Sequence, residues 1–255
     1  MTEDRDLLKI DHLTKCFFSL KALDRVDLTI HAGELVCLIG PNGSGKTTLF
    51  NCVTGFLLHE EGRIFLKGRE ITSLAPHQIA LAGLTRTFQN VRIFPKLTVL
   101  ENLLLAAQQH QEDRFWSRLV RTSAIRHFEE QARRRADELL SFVNLTRLRD
   151  DACESLSYGQ RKLLSFIFAL MPDPDLILLD EPAAAVNPSM INKIKEYIKD
   201  LNGRGKTFLV IEHNMEVVMD LAQRVVVLDH GEKIAEGTPQ EIKRNERVIE
   251  AYFGR

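Results

Sequence analysis

The sequence carries almost no excess charge: across 255 residues, 34 Lys and Arg stand against 35 Asp and Glu, a formal net charge of −1. A general nucleic-acid binder needs a basic face to offset a dense phosphate charge, so the balance argues against that class. Long hydrophobic runs are also lacking. The most apolar stretch, Leu163 to Met171, is interrupted by Ser165 and falls far short of the roughly 18 residues that cross a bilayer. The opening MTEDRDLLKI mixes acids and bases where a secretory signal needs a basic start and an apolar run, so a cytoplasmic location is expected. Cys16, Cys37, Cys52 and Cys153 form no CxxC pair, which suggests neither a zinc site nor a disulfide framework and points to core packing. What is present is ordinary for a globular chain, 44% hydrophobic and 27% charged, enough to bury a core and incompatible with disorder or a collagen-like structure. At roughly 150 residues per domain, the length predicts one domain with a helical insert.

Along the chain, ELVCLI (Glu34 to Ile39) reads as a buried strand, followed by a Gly-rich loop to Gly45 and helical spacing from Lys46 to Phe56. Phe94-Pro95 marks a loop before a helix beginning near Thr98. Between Arg114 and Arg135 lie seven arginines and two acids, Glu129 and Glu130, a local charge of +5. Ile125, Phe128, Ala132, Ala136, Leu139 and Val143 follow helical spacing and share one face. Arg133, Arg134 and Arg135 could approach anionic lipid, although a solvated helix face is the favoured reading. After Cys153 come LILL (Leu176 to Leu179), TFLVI (Thr207 to Ile211) and VVVL (Val225 to Leu228). Such runs alternating with helical segments predict an α/β sheet with parallel strands, and the tail from Gly237 reads as a short helical finish.

Three segments carry chemistry. Gly40-Pro41-Asn42-Gly43-Ser44-Gly45-Lys46-Thr47 fits GxxxxGK[ST] between a strand and a helix. Glycines let consecutive N–H groups curl inward, and the helix N-terminus adds positive potential, so the loop can wrap a polyphosphate. Lys46 then reaches the β- and γ-phosphates, Thr47 offers its hydroxyl to Mg²⁺, and Thr48 stands beside them in the nucleotide-binding set. Asp180 and Glu181 follow four aliphatic residues, so the strand delivers two carboxylates to the sheet edge where ligands bind in open α/β sheets. Asp180 is placed to hold Mg²⁺ through water and Glu181 to polarise the water that attacks the γ-phosphate. The third segment, Leu156-Ser157-Tyr158-Gly159-Gln160, is a polar turn opening a long apolar helix, a second possible phosphate contact.

LSYGQ, 23 residues before Asp180 and after a helical insert, resembles the LSGGQ signature of ABC-type ATPases. The resemblance implies an α/β P-loop NTPase, an ABC-type nucleotide-binding domain with a helical subdomain. Its core would span approximately 1–90 and 172–255, and its helical, signature-bearing part approximately 91–171. Carried over by position, Phe17 stacks on adenine, with Phe18 as the alternative. Gln89 in TFQN resembles the glutamine that contacts Mg²⁺ or its water and links nucleotide to the membrane subunit, and His213 the switch histidine that binds the γ-phosphate. Asn187 ends AAVN where many members have Asp. Ser157, Tyr158, Gly159 and Gln160 would serve in trans, touching ATP held by a second cassette.

TRTFQNVRIFPKLTVLENLLLA, the Phe115-Trp116 insert, DEPAAAVNP, IEHNM and EGTPQEI…VIEAYFG together resemble the ATPase subunits of branched-chain amino acid importers, the LivG type, over nearly the whole chain. Implied partners are a second cassette ATPase (a paralogue, or a copy of this chain), two polytopic permeases and a periplasmic or lipid-anchored binding protein, with no nucleic acid. The implied location is peripheral, at the cytoplasmic face of the inner membrane. After the signature the chain departs from the family: Phe168 stands where an IARAL-like segment carries arginine. Two alternatives stay open, a soluble ABC-type ATPase acting on ribosome or DNA and a non-hydrolysing regulatory cassette.

Overall fold

The computed structural model describes residues 6–87, 93–107 and 123–253. They form two compact units, one from Met1–Gln89 with Asp175–Arg255 and the other from Asn90–Pro174.

The first unit holds two sheets. Strands β1 (Asp6–Phe17), β2 (Leu20–His31), β4 (Glu61–Leu66) and β5 (Arg69–Glu70) form an antiparallel sheet in the order β2-β1-β4-β5. The other sheet has the order β10-β9-β3-β8-β7-β6, from β3 (Leu35–Ile39), β6 (Leu84–Arg86), β7 (Leu176–Asp180), β8 (Thr207–Ile211), β9 (Arg224–Asp229) and β10 (Glu232–Gly237). Its pairings are parallel except that of β9 with β10. Every residue of β3, β7 and β8 is buried, the pattern of parallel strands covered on both faces. Those are the continuous apolar runs of the sequence.

The parallel register sets the site. Ile211 lies opposite Leu38 of β3 on one side and Asp180 of β7 on the other. The carboxyl ends of β3, β8 and β7 therefore come out side by side on one sheet edge, where ligands bind in open α/β folds. Helices α1 (Lys46–Val53), α2 (Pro76–Leu81), α6 (Pro188–Gly203), α7 (Met215–Leu221), α8 (Pro239–Arg244) and α9 (Glu246–Phe253) complete this unit. The first is shorter than its apolar spacing predicts: Thr54 turns its hydroxyl back to the Phe50 carbonyl at 2.6 Å, and Gly55 takes φ 72°.

The second unit packs α3 (Val99–Ala107), α4 (Ser123–Phe142) and α5 (Tyr158–Leu170) against one another. Ala132, Ala136, Leu139 and Val143 are buried and Phe128 is half-buried, as the periodicity predicts. Within α4 the arginines are interspersed with the acids Glu129, Glu130, Asp137 and Glu138. Arg134 pairs with Glu130, and Arg135 reaches both Glu138 and Asp173, which favours the solvated reading over a lipid contact. Fully buried Asn102 bonds the Phe94 and Thr98 carbonyls at 3.0 Å and the Cys153 sulfur at 3.1 Å, tying the preceding loop to α3. Cys37, Cys52 and Cys153 are core residues, and burial pushes the Cys37 and Cys52 thiols up to about 12. Cys16 is only partly buried. Arg114, Phe115, Trp116, Arg118 and Arg121 of the insert lie outside the described residues.

Candidate functional site

The Gly-rich loop leaves β3 at Gly40 and enters α1 at Lys46. A Cβ at Gly40 would collide with the Leu228 carbonyl oxygen of β9, and one at Gly45 would lie 2.5 Å from the Ala22 carbonyl oxygen. Both positions have positive φ, so close approach and conformation both demand glycine. The loop is braced by the β9–β10 turn, where the Gly231 N–H donates to the Ser44 carbonyl at 3.1 Å. Pro41, Asn42, Gly43 and Thr47 line the accessible side of the loop, Thr48 is half-buried and Ser44 is buried. Lys46 is 5% exposed, and its ammonium donates to the Gly40 and Pro41 carbonyls at 2.9 Å and to Ser44 Oγ at 3.2 Å. Burial lowers its pKa, against the opposing pull of the Glu181 and Asp180 charges. A polyphosphate offers that ammonium stronger, charged acceptors than neutral carbonyls.

Asp180, at the end of β7, is buried against a group that the sequence did not reveal. The Arg86 guanidinium meets Asp180 Oδ2 at 2.7 Å and Asn51 Oδ1 at 2.6 Å, and lies 5.3 Å from the Phe50 ring centroid. The Asp180 N–H donates to Thr87 Oγ1 at 3.3 Å. The next residue, Glu181, has φ 49° and donates its N–H to the Ile211 carbonyl at 3.0 Å. That bond turns its side chain toward β8, where Glu181 Oε1 lies 3.0 Å from His213 Nε2. A carboxylate and an imidazole thus meet at the edge that carries Lys46.

Between these loops lies Glu212, 3% exposed. Its Oε1 accepts the Ala183 N–H at 2.8 Å, and Oε2 accepts the His213 N–H at 3.2 Å and the Asn214 N–H at 3.5 Å. Burial raises its pKa, the three backbone donors act in the opposite sense, and the Glu181 charge adds to the rise.

The remaining predicted residues stand as follows. Phe17 ends β1, 43% exposed as a residue, with the Lys15 ammonium 5.4 Å from its ring centroid, while Phe18 is fully exposed at φ 53°. Ser157 caps α5: its Oγ accepts the Gln160 N–H at 3.3 Å, and Gln160 Oε1 accepts the Ser157 N–H at 2.8 Å. Tyr158 is 42% exposed and Gly159 half-buried beside it. Phe168 is half-buried on the same helix. Asn187 is exposed and caps α6, with Oδ1 accepting the Met190 N–H at 2.9 Å. Gln89 lies outside the described residues. For a divalent cation, the donor set of Thr47 hydroxyl and Asp180 carboxylate is hard oxygen, which fits Mg²⁺.

A Gly-rich loop, a strand-end Asp-Glu pair and a histidine just beyond a strand end thus share one parallel edge. Residues 23–184 match the family model described as "ABC transporter". The chain belongs to the ABC transporter ATPase family. Residues 232–255 match a second model, "Branched-chain amino acid ATP-binding cassette transporter". The cassette is 41% identical over 251 residues to the high-affinity branched-chain amino acid transport ATP-binding protein BraF of Pseudomonas aeruginosa, covering 98% of both chains. It is 40% identical over 249 residues to the corresponding protein LivG of Salmonella typhimurium, covering 97% of this chain and 98% of LivG. Among solved structures, it is 28% identical, with a TM-score of 0.76, to a dimeric ATP-binding cassette in a post-hydrolysis state bound to ADP and Pi. That likeness covers 91% of this chain and 98% of the other. The cassette is accordingly an ATPase of the P-loop α/β class. Among the described residues no helix is long and apolar enough to cross a membrane.

Proposed function

We propose that this cassette powers the import of branched-chain or related amino acids through an ABC transporter, by ATP-driven closure and reopening of a head-to-tail pair of cassettes. The observation that carries the reading is the convergence of Lys46, Glu181 and His213 on one sheet edge, with the last two 3.0 Å apart. The substrate class rests on the names of the relatives, including BraF at 41% identity.

In this reading the loop from Gly40 to Thr48 wraps the phosphates, and Phe17, with Phe18 as the alternative, stacks on adenine. Lys46 exchanges its carbonyl partners for the β- and γ-phosphates. Glu181 orients a water for in-line attack on the γ-phosphorus and takes up its proton as the bond to the ADP oxygen breaks, giving ADP and inorganic phosphate. His213 holds a γ-phosphate oxygen and keeps the Glu181 carboxylate directed at that water. Thr47 and, through water, Asp180 would hold Mg²⁺ with Gln89, and the bound ion would neutralise charge on the β- and γ-phosphates.

The unit containing approximately 1–90 and 172–255 serves as the nucleotide-binding core, and approximately 91–171 as the helical, signature-bearing part. Ser157, Tyr158, Gly159 and Gln160 meet ATP held by the second cassette, and Asn187 bonds across the same interface as a neutral group. Because the closed pair needs the γ-phosphate at both surfaces, ATP binds closed better than open, which is what driving a conformational cycle requires. The partners are a second cassette, a paralogue or a copy of this chain, two polytopic permeases and a periplasmic or lipid-anchored binding protein. The cassette sits peripherally at the cytoplasmic face of the inner membrane.

The test is purification of the Glu181→Gln protein from gently solubilised native membranes with ATP, followed by mass spectrometry. Two polytopic subunits and a second cassette are the expected companions. Ribosomal or DNA-associated proteins, or no companion, would remove the transport reading.

A further inference from the structure

We infer that Glu212 is a positioning residue for ATP hydrolysis, a buried carboxylate that locks the turn after Glu181 to the turn carrying His213. The inference rests on the hydrolytic reading above and deepens it.

The two oxygens of Glu212 serve different segments: Oε1 takes the Ala183 N–H, and Oε2 takes the His213 and Asn214 N–H groups. These contacts close a ring. The Glu181 N–H is bonded to Ile211, its side chain meets His213, and Ala183, two residues on, returns to Glu212. Ala183 also immediately precedes AAVN, the stretch that ends at Asn187, the residue proposed to contact the second cassette. A shift of that stretch is therefore carried by one carboxylate to the backbone of His213.

Burying a carboxylate is costly, and an apolar side chain would fill the place without that cost. Glu212 accepts from backbone N–H donors on two separate turns, so what the charge provides is a fixed distance between them. An amide in the same place has one acceptor oxygen instead of two. It can satisfy Ala183 or the His213 turn, and it presents an N–H₂ group to the other.

The experiment compares the wild-type chain with Glu212→Gln, with and without His213→Ala, each in the assembly purified with its partner cassette, by steady-state and single-turnover ATP hydrolysis, ATP binding and thermal unfolding. Glu212→Gln is expected to lower kcat by about tenfold or more, with KM and nucleotide Kd held to about twofold, the signature of lost positioning. In the His213→Ala background the same change is expected to alter the rate by less than about twofold, because the two act as one unit. Should Glu212→Gln fold poorly, Glu212→Asp keeps both acceptors but is too short to span the turns, and the same split in kcat is expected. Unchanged kcat in a folded variant, or an equal loss in both backgrounds, overturns the inference and leaves the ATPase reading standing. A wild-type chain that, assembled with its partner cassette, binds ATP without turnover overturns both.

Discussion

Lys46 spends its three donors on two loop carbonyls and Ser44 Oγ, so its ammonium is already fixed where phosphates would enter. Lys46→Ala removes a charge-assisted contact and is expected to weaken ATP affinity by about tenfold or more. Titration with a fluorescent ATP analogue measures it, and wild-type affinity in the variant would contradict the phosphate role. Arg86 and Asp180, 5% and 6% exposed, form a buried pair, and removing one partner leaves the other charged and desolvated. Arg86→Met should destabilise the protein by about 3–5 kcal/mol. Urea unfolding decides: a loss within the scatter of surface substitutions would mean that Asp180 finds another partner. At this scale the sequence disclosed residues held by fixed spacing, Lys46 and Thr47 above all. Arg86 and Glu212 escaped because their meaning lies in partners far along the chain, Asp180 for the one and Ala183 for the other. The only sequence signals were adjacency to TFQ and to His213.

Among elements, the buried parallel strands were readable because a strand covered on both faces must be apolar throughout, as β3, β7 and β8 are. The antiparallel sheet was readable only as short strand-like runs from Leu7 to Ile30, which β1 and β2 bear out, and not as a pairing. Its strands β1 and β2 run 12 residues each with polar interruptions, and their pairing shifts register four times, so strict alternation never develops. Between α6 and α7, Asp220 receives Lys195 at 2.7 Å and Lys199 at 2.6 Å. Those hydrogen bonds hold its carboxyl below the usual aspartate value. A depressed carboxyl contributes stability above its unfolded value, and that contribution is lost as pH falls through the folded value. Asp220→Asn should therefore cost about 0.5–1 kcal/mol at neutral pH, as expected of a partly exposed pair. The difference from wild type should vanish once pH drops below the folded value. Thermal melts across pH give the answer, and a difference that persists in strong acid would exclude the ion pair as its source.

For the molecule as a whole, near-neutral charge and apolar content limited the class, and motif order limited the family. LSYGQ named the residues proposed to face a second cassette, and in the structure Ser157 and Gln160 satisfy each other as a helix cap. Substrate was not legible, because in the proposed role the cassette binds nucleotide and does not touch the transported molecule. In the proposed function ATP hydrolysis at Glu181 drives import, and the coupling is read by ATP-dependent uptake of labelled leucine into proteoliposomes holding the purified complex, with wild-type chain or Glu181→Gln. Accumulation is expected with wild type and a loss of about a hundredfold with the variant, at equal nucleotide binding. Accumulation without ATP, or undiminished by Glu181→Gln, would contradict it.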